Sequence, residues 1–118
     1  MSTGEEKERL ALLQGTVDLL ILRTLLFGRN HGQGVARAIQ ESSREELLVD
    51  HGALYPALQR LEEQGAITAQ WGISENNRKA RFYQLTQNGR KRLVHETSRW
   101  RRMAAAIGYV LGTEERDA

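Results

Sequence analysis

The sequence contains no cysteine among its 118 residues. This absence excludes disulfide-stabilised scaffolds, zinc fingers and thiol catalysis, and it fits a reducing cytoplasm. The histidines His31, His51 and His95 lie far apart and form no pattern with carboxylates that suits a metal site. No Ser/His/Asp grouping, glycine-rich phosphate loop or pair of catalytic carboxylates is recognisable either. We therefore expect no metal, no cofactor and no enzymatic activity.

Long apolar runs are also lacking, since no stretch reaches the roughly 18 residues that a membrane helix needs. The N-terminus is rich in Glu and Lys, whereas a signal peptide would begin basic and continue apolar. We therefore expect a soluble, cytoplasmic protein with no membrane partner. Hydrophobic residues make up 40 % of the chain, which is enough for the core of one compact domain and leaves little for a second.

Acidic residues are scarce in one region, and the charge is consequently uneven. Between residues 78 and 102 there are nine cations and a single anion, Glu96, although the whole chain has a net charge of only +2. A concentration of Lys and Arg of this kind is typical of a surface that binds nucleic acid, although basic helices can also simply face solvent.

The N-terminal half of the sequence predicts three helices. Capping-box patterns at Ser2 and Thr3 indicate a helical extension over residues 1–14, with Leu10 and Leu13 among its apolar positions, interrupted by Gly15. The stretch over residues 17–27 is almost entirely apolar and predicts a buried helix. We expect a glycine-rich turn at residues 28–34, a short helix at 35–42 and an extended segment at 47–49.

A further helix and a β-hairpin follow. Leu54, Leu58 and Leu61 recur at helical spacing within residues 52–64, and Gly65 stands where a left-handed C-terminal residue belongs. Two alternating segments separated by a turn-rich stretch predict a hairpin over residues 67–85.

The last predicted helix spans residues 87–112 after the cap Thr86, and residues 113–118 are predicted to form a disordered tail. Such a helix is about 37 Å long, too long to be covered by so small a domain. Apolar residues recur along one side of this helix with the spacing of a heptad pattern, and we call this side the seam. We expect a second copy of the chain to bury the seam. The predicted interface residues on this dimerisation helix are Leu93, Thr97, Trp100, Ala104, Ile107 and Leu111.

This order of elements predicts a winged helix-turn-helix domain over residues 15–86, in a fold that is mainly α with a small β-hairpin. In that geometry the helix at residues 52–64 enters the major groove, and the hairpin, or wing, reaches the backbone or the minor groove. The exposed face of that recognition helix is expected to combine small side chains with groups that reach DNA, namely Ala53, Ala57, Tyr55, Gln59 and Arg60. The wing supplies Arg78, Lys79 and Arg81.

Two of these residues have an alternative structural interpretation. Tyr55 either donates a hydrogen bond to a phosphate or packs on the first helix. Arg60 either contacts a base or pairs with Glu62 or Glu63 on its own helix. Trp71, at the base of the wing, is predicted to be structural.

Four segments resemble the signature segments of PadR-family transcriptional regulators. They are LQGTVDLLIL at 13–22, HG at 31–32, GALYPALQRLE at 52–62 and RFYQLTQNGR at 81–90. The third segment is the specific one, and the single C-terminal helix resembles the smaller subgroup of the family. The sequence departs from the family pattern at Ala53, where Thr is common, and at Gln33, where an aromatic residue is frequent.

The resemblance implies a homodimeric bacterial repressor that binds a double-stranded operator with pseudo-twofold symmetry. It implies that Tyr55, Pro56 and Arg60 lie on the recognition helix, and that the N-terminal helix, with Leu10 and Leu13, helps to form the dimer. Two other functions stay open: a winged-helix module that binds a protein, and a dimer that senses a small aromatic effector. In the last case Trp100 would line a pocket between the two copies instead of only packing in their interface.

Overall fold

The computed structural model describes residues 14–113. Nearly all of the predicted N-terminal extension, including the candidate interface residues Leu10 and Leu13, lies outside the described residues, as do residues 114–118 of the predicted tail. Within residues 14–113, no helix is long and apolar enough to cross a membrane.

The described chain forms four helices and three strands, which confirms the predicted fold class. The helices are α1 (Gln14–Leu25), α2 (Gly32–Ser42), α3 (His51–Glu63) and α4 (Gln87–Leu111). The strands are β1 (Asn30–His31), β2 (Ile67–Ile73) and β3 (Lys79–Leu85), and they form one antiparallel sheet in the order β1-β3-β2. This architecture is a winged helix followed by a long C-terminal helix.

Local side-chain chemistry determines where the helices begin. Asp50 caps α3 by accepting a hydrogen bond from the Ala53 N–H at 2.9 Å, and Thr86 caps α4 by accepting one from the Gly89 N–H. His31 caps α2 through its Nδ1 atom. Each cap satisfies a backbone donor that the first helical turn leaves unpaired.

The core lies where α1, α2 and α3 pack against one another and against the base of the sheet. Each helix contributes an apolar stripe, and burying such a side chain stabilises the fold by about 1.5–3 kcal/mol. The most deeply buried large side chains are Val17, Ile21, Leu22, Val35, Leu54, Leu58, Leu61 and Ile67.

Three local predictions were wrong. Gly15, predicted to interrupt the helical stretch, instead lies inside α1, which already includes Gln14. The predicted turn at residues 28–34 contains β1, which pairs Asn30 with Tyr83 and His31 with Phe82, and α2 already begins at Gly32. Ala57, expected on the exposed face of its helix, is fully buried.

The register of the hairpin explains why its outer part is exposed. Ile67 pairs with Leu85, Ala69 with Tyr83, Trp71 with Arg81 and Ile73 with Lys79, so all eight side chains lie on one face of the sheet. The inner pairs cover the core, whereas the outer pairs extend past it.

The first two turns of the long helix α4 pack against the rest of the domain. Gly89 approaches the Ala66 carbonyl so closely that a Cβ atom would lie 2.1 Å from the oxygen, and Leu93 packs in the core of its own chain. Leu93 was predicted to lie in the dimer interface. The structure corrects this assignment, because the core of one chain already buries Leu93.

Candidate nucleic-acid interface

Helix α3 presents a polar face opposite its buried stripe. Tyr55, Pro56 and Gln59 are exposed, and Ala53 is half-buried. Gln59 has only a weak contact with Glu63, at 3.4 Å between the amide nitrogen and the carboxylate. The outward face of α3 therefore carries short and medium side chains that allow a close approach to a groove.

Tyr55 packs against the start of α2 rather than against the first helix. A Cβ atom at Gly32 would lie 2.8 Å from both Cε1 and Oη of Tyr55, so the ring occupies the space that only glycine provides. The tyrosine nevertheless stays 42 % exposed. Its hydroxyl therefore lies at the junction between α3 and the start of α2, where it can donate to an anion.

Arg60 has a different partner from the predicted Glu62 or Glu63. Its Nη2 atom lies 2.7 Å from Oδ1 of Asp18, a buried carboxylate of α1. This ion pair ties α3 to the core, and it directs the Arg60 guanidinium inward.

The predicted wing cations fall into two groups. Arg78 and Lys79 are exposed, and neither forms an ion pair within residues 14–113. Arg81 pairs with Glu62 of α3 at 2.9 Å, so part of its charge is already compensated. The Arg81–Glu62 pair also links the wing to α3.

Trp71 is a large exposed side chain on this surface. It is 62 % exposed, with Lys79 Nζ 5.3 Å and Arg81 Cζ 5.8 Å from its ring. It was predicted to be structural, and strand alternation alone could not reveal its exposure, because Tyr83, two residue pairs away on the same face of the sheet, is buried.

A cleft of about 720 Å³ separates α3 from the wing. Its lining brings together Tyr55, the start of α2 at Gln33, and the wing residues Trp71, Arg78, Lys79 and Arg81. The structure thus places Tyr55 and all three predicted wing cations around one basic concave surface, whereas Arg60 lies outside it.

The tip of the wing is held by a contact that no local pattern could reveal. Nδ1 of His31 accepts a hydrogen bond from the Gly34 N–H, so the proton of the neutral ring resides on Nε2, which lies 3.3 Å from Glu75 Oε1. Arg37 of α2 approaches the other carboxylate oxygen at 4.0 Å. The backbone N–H of Glu75 and then the His31 imidazole hold the pKa of the Glu75 carboxyl below its ordinary value of 4.5.

The seam on α4 is exposed beyond its first turns. Trp100 is 51 % exposed, Ile107 50 % and Leu111 67 %; Ala104 is exposed and Thr97 half-buried. Apolar exposure of this extent along one helix is typical of an interaction surface. Within the described part of the chain, no group of three His, Asp or Glu side chains could hold a metal ion.

Comparison with known proteins identifies the fold and the family. The family model described as "Transcriptional regulator PadR-like family" matches residues 21–95. A transcriptional regulator from Clostridium thermocellum is 27 % identical, with 81 % of this chain and 93 % of that one covered and a TM-score of 0.74. A PadR family transcription regulator from Clostridium difficile is 26 % identical, with coverages of 80 % and 97 % and a TM-score of 0.68. The circadian clock associated protein Pex from Anabaena is 25 % identical, with coverages of 85 % and 87 % and a TM-score of 0.71.

Proposed function

This chain belongs to the PadR-like family of transcriptional regulators, and on that basis we propose that it represses transcription as a homodimer bound to a pseudo-palindromic operator. The family has a DNA-binding fold, and the proposal assigns α3 to the major groove and the wing to the backbone or the minor groove. A regulator of this kind acts on the chromosome, which corresponds to a cytoplasmic location.

The observation that carries the proposal is the cleft between α3 and the wing. Arg78 and Lys79 line it without intramolecular counter-charges among residues 14–113, and Tyr55 of α3 lines the same cleft. These cations lack a counter-charge, and the phosphates of DNA would supply it. Gln59 on the neighbouring exposed turn of α3 is the candidate for base contact, because its amide can form two hydrogen bonds with adenine.

The α4 seam supports the homodimer. Trp100, Ile107 and Leu111 recur along one side of the helix and are each half exposed or more in a single chain. A second copy of the same helix provides a matching heptad surface. Two such chains present two α3 helices, so the proposed half-sites lie about 34–36 Å apart, or a multiple of that distance. An aromatic effector at Trp100 stays a prediction of the sequence.

Selection of random duplexes by the purified protein, combined with its mass in solution, tests this function. We expect an enriched inverted repeat and the mass of two chains. Retention on heparin without enrichment of any sequence would favour the alternative, a winged-helix module that binds a protein partner. A monomeric mass would contradict the role proposed for α4.

A further inference from the structure

We propose that Trp71 is a DNA-contacting residue of the wing, and that its indole packs against the deoxyribose-phosphate backbone of the operator. This inference rests on the proposed function, because it assigns a partner to a residue on the same surface. It adds an uncharged DNA-contacting residue to a wing whose other candidate DNA-contacting residues are cations.

The position of Trp71 in the sheet directs it toward the DNA side. Trp71 pairs with Arg81, and both side chains lie on the face of the sheet that continues from the core, beyond the buried Tyr83. The indole ring lines the cleft between the wing and α3, as does Tyr55. A duplex that α3 reads from its exposed face therefore lies beside the indole.

Among residues 14–113, no packing contact accounts for the large apolar side chains on the outer hairpin face. Trp71 is 62 % exposed and Ile73 63 % exposed, although burial of such large apolar side chains is favourable. Strand packing does not require a tryptophan there, because the core ends at Tyr83. A partner that covers this face accounts for a large side chain at that position.

The charges around the ring identify this partner as a polyanion. Nζ of Lys79 lies 5.3 Å and Cζ of Arg81 5.8 Å from the centre of the indole ring. Arg78 directly precedes Lys79 in the wing. A surface of this composition repels basic partners and attracts phosphates. When the cations bind phosphates, the indole between them lies against the intervening sugars, and its N–H can donate to a phosphate oxygen.

The competing explanation is that Trp71 acts only within the wing, by orienting Lys79 and Arg81 through cation–π contacts. The two explanations differ in their salt dependence. A direct contact of the uncharged ring contributes affinity without releasing counterions, so its loss leaves the salt slope unchanged. Loss of an orienting residue displaces cations and lowers the slope.

The test measures binding of the selected duplex across a salt series for the wild-type protein, Trp71→Phe and Trp71→Ala. We expect Trp71→Ala to weaken binding about tenfold, a loss in the lower range for aromatic contacts with nucleic acid, and to leave the salt slope unchanged. Trp71→Phe should weaken binding less. Circular dichroism checks that both variants fold, as the exposure of the side chain predicts.

Fluorine NMR of wild-type protein labelled with 5-fluorotryptophan provides an independent measurement. The chain has two tryptophans, so the Trp71→Phe variant assigns both signals. We expect the Trp71 signal to move when duplex is added. An unmoved signal with unchanged affinity of Trp71→Ala would overturn the inference, as would a lowered salt slope. If the wild-type protein binds no duplex at all, the proposed function itself fails, and the inference fails with it.

Discussion

The guanidinium of Arg60 in α3 lies 2.7 Å from the carboxylate of Asp18 in α1, and Asp18 is only 6 % exposed. Arg92 of α4 approaches the second carboxylate oxygen at 3.6 Å. One buried carboxylate therefore joins the first helix, the proposed recognition helix and the proposed dimerisation helix. This arrangement gives Arg60 a structural role, and it fixes the direction of α3 relative to the start of α4.

Replacement of Asp18 tests this arrangement. Asp18→Asn removes the negative charge and leaves two arginines without their shared partner, so we expect the free energy of unfolding to fall by roughly 3 kcal/mol. Glu96→Gln is the matched control, because Glu96 also pairs with Arg92, at 2.8 Å, but in an i,i+4 pair that contributes only about 0.5 kcal/mol. Urea unfolding at one protein concentration measures both variants. Equal losses would contradict a special role for Asp18.

The contact between α4 and the loop before β2 leads to a second prediction. Gly89→Ala places a methyl group against the Ala66 carbonyl oxygen, which already accepts hydrogen bonds from the N–H and the hydroxyl of Thr86. Because neither backbone segment can move easily, we expect a loss of about 1–3 kcal/mol. Gly15→Ala in α1 is the control: its Cβ meets nothing within 4 Å, so thermal unfolding should show stabilisation by up to about 1 kcal/mol. Stabilisation by both substitutions would refute the close approach.

Much of the fold could be predicted from the sequence because its signals are local. The cap Thr86, the left-handed Gly65 and the alternation of the hairpin each depend on neighbours within a few residues, and the structure contains all three. The contacts Asp18–Arg60 and His31–Glu75 could not be predicted in this way, since they join residues 42 and 44 positions apart. Only the packed arrangement of the elements brings these partners together.

The candidate site was only partly predictable for a related reason. Leu93 and Trp100 belong to one continuous heptad pattern, but Leu93 is 5 % exposed and Trp100 51 %. Periodicity shows which side of a helix is apolar. It does not show how far along the helix the rest of the same chain buries that side. Trp71 and Tyr83 on the wing differ in the same way, because the sheet extends beyond the core.

The wing cations lead to a prediction about salt dependence. The slope of log K against log salt is negative, and its magnitude should decrease by about 2 in the double variant Arg78→Gln, Lys79→Gln. Each lost phosphate contact removes about 0.9. Arg81→Gln should decrease the magnitude less, because Glu62 already compensates Arg81. The control, Arg23→Gln with Arg44→Gln, removes the same charge from α1 and the turn after α2. An equal decrease in this control would indicate net charge as the cause and contradict the wing assignment.

The contact between His31 and Glu75 leads to a prediction about pH. Because the folded-state pKa of Glu75 is lowered, its contribution is complete above about pH 4.5 and is lost as the pH falls through the lowered pKa. His31→Asn retains a capping side chain for α2 but removes the imidazole, so the pKa of Glu75 should rise. It should stay below 4.5, because the backbone N–H of Glu75 is the larger cause.

The carboxyl carbon shift of Glu75 followed by NMR measures this titration. Arg37→Gln is the control, since Arg37 makes the smallest contribution to lowering the pKa of Glu75 and should change it less than His31→Asn. An unchanged Glu75 titration in His31→Asn would show that the wing tip is not held by this contact.

The seam of α4 leads to the final prediction. Ile107→Asp or Leu111→Asp places a carboxylate in the surface that two chains are proposed to bury, and an unpaired buried charge is strongly unfavourable. We therefore expect monomers by light scattering at concentrations where the wild-type protein forms dimers, together with loss of binding to the full operator. Ala106→Asp, on the exposed opposite side of the same helix, introduces the same charge at a cost in helix propensity that is at least as large, and it should leave the mass unchanged. If all three variants keep the mass of two chains, the dimer is built on another surface, and the spacing of the two α3 helices must be derived from that surface instead.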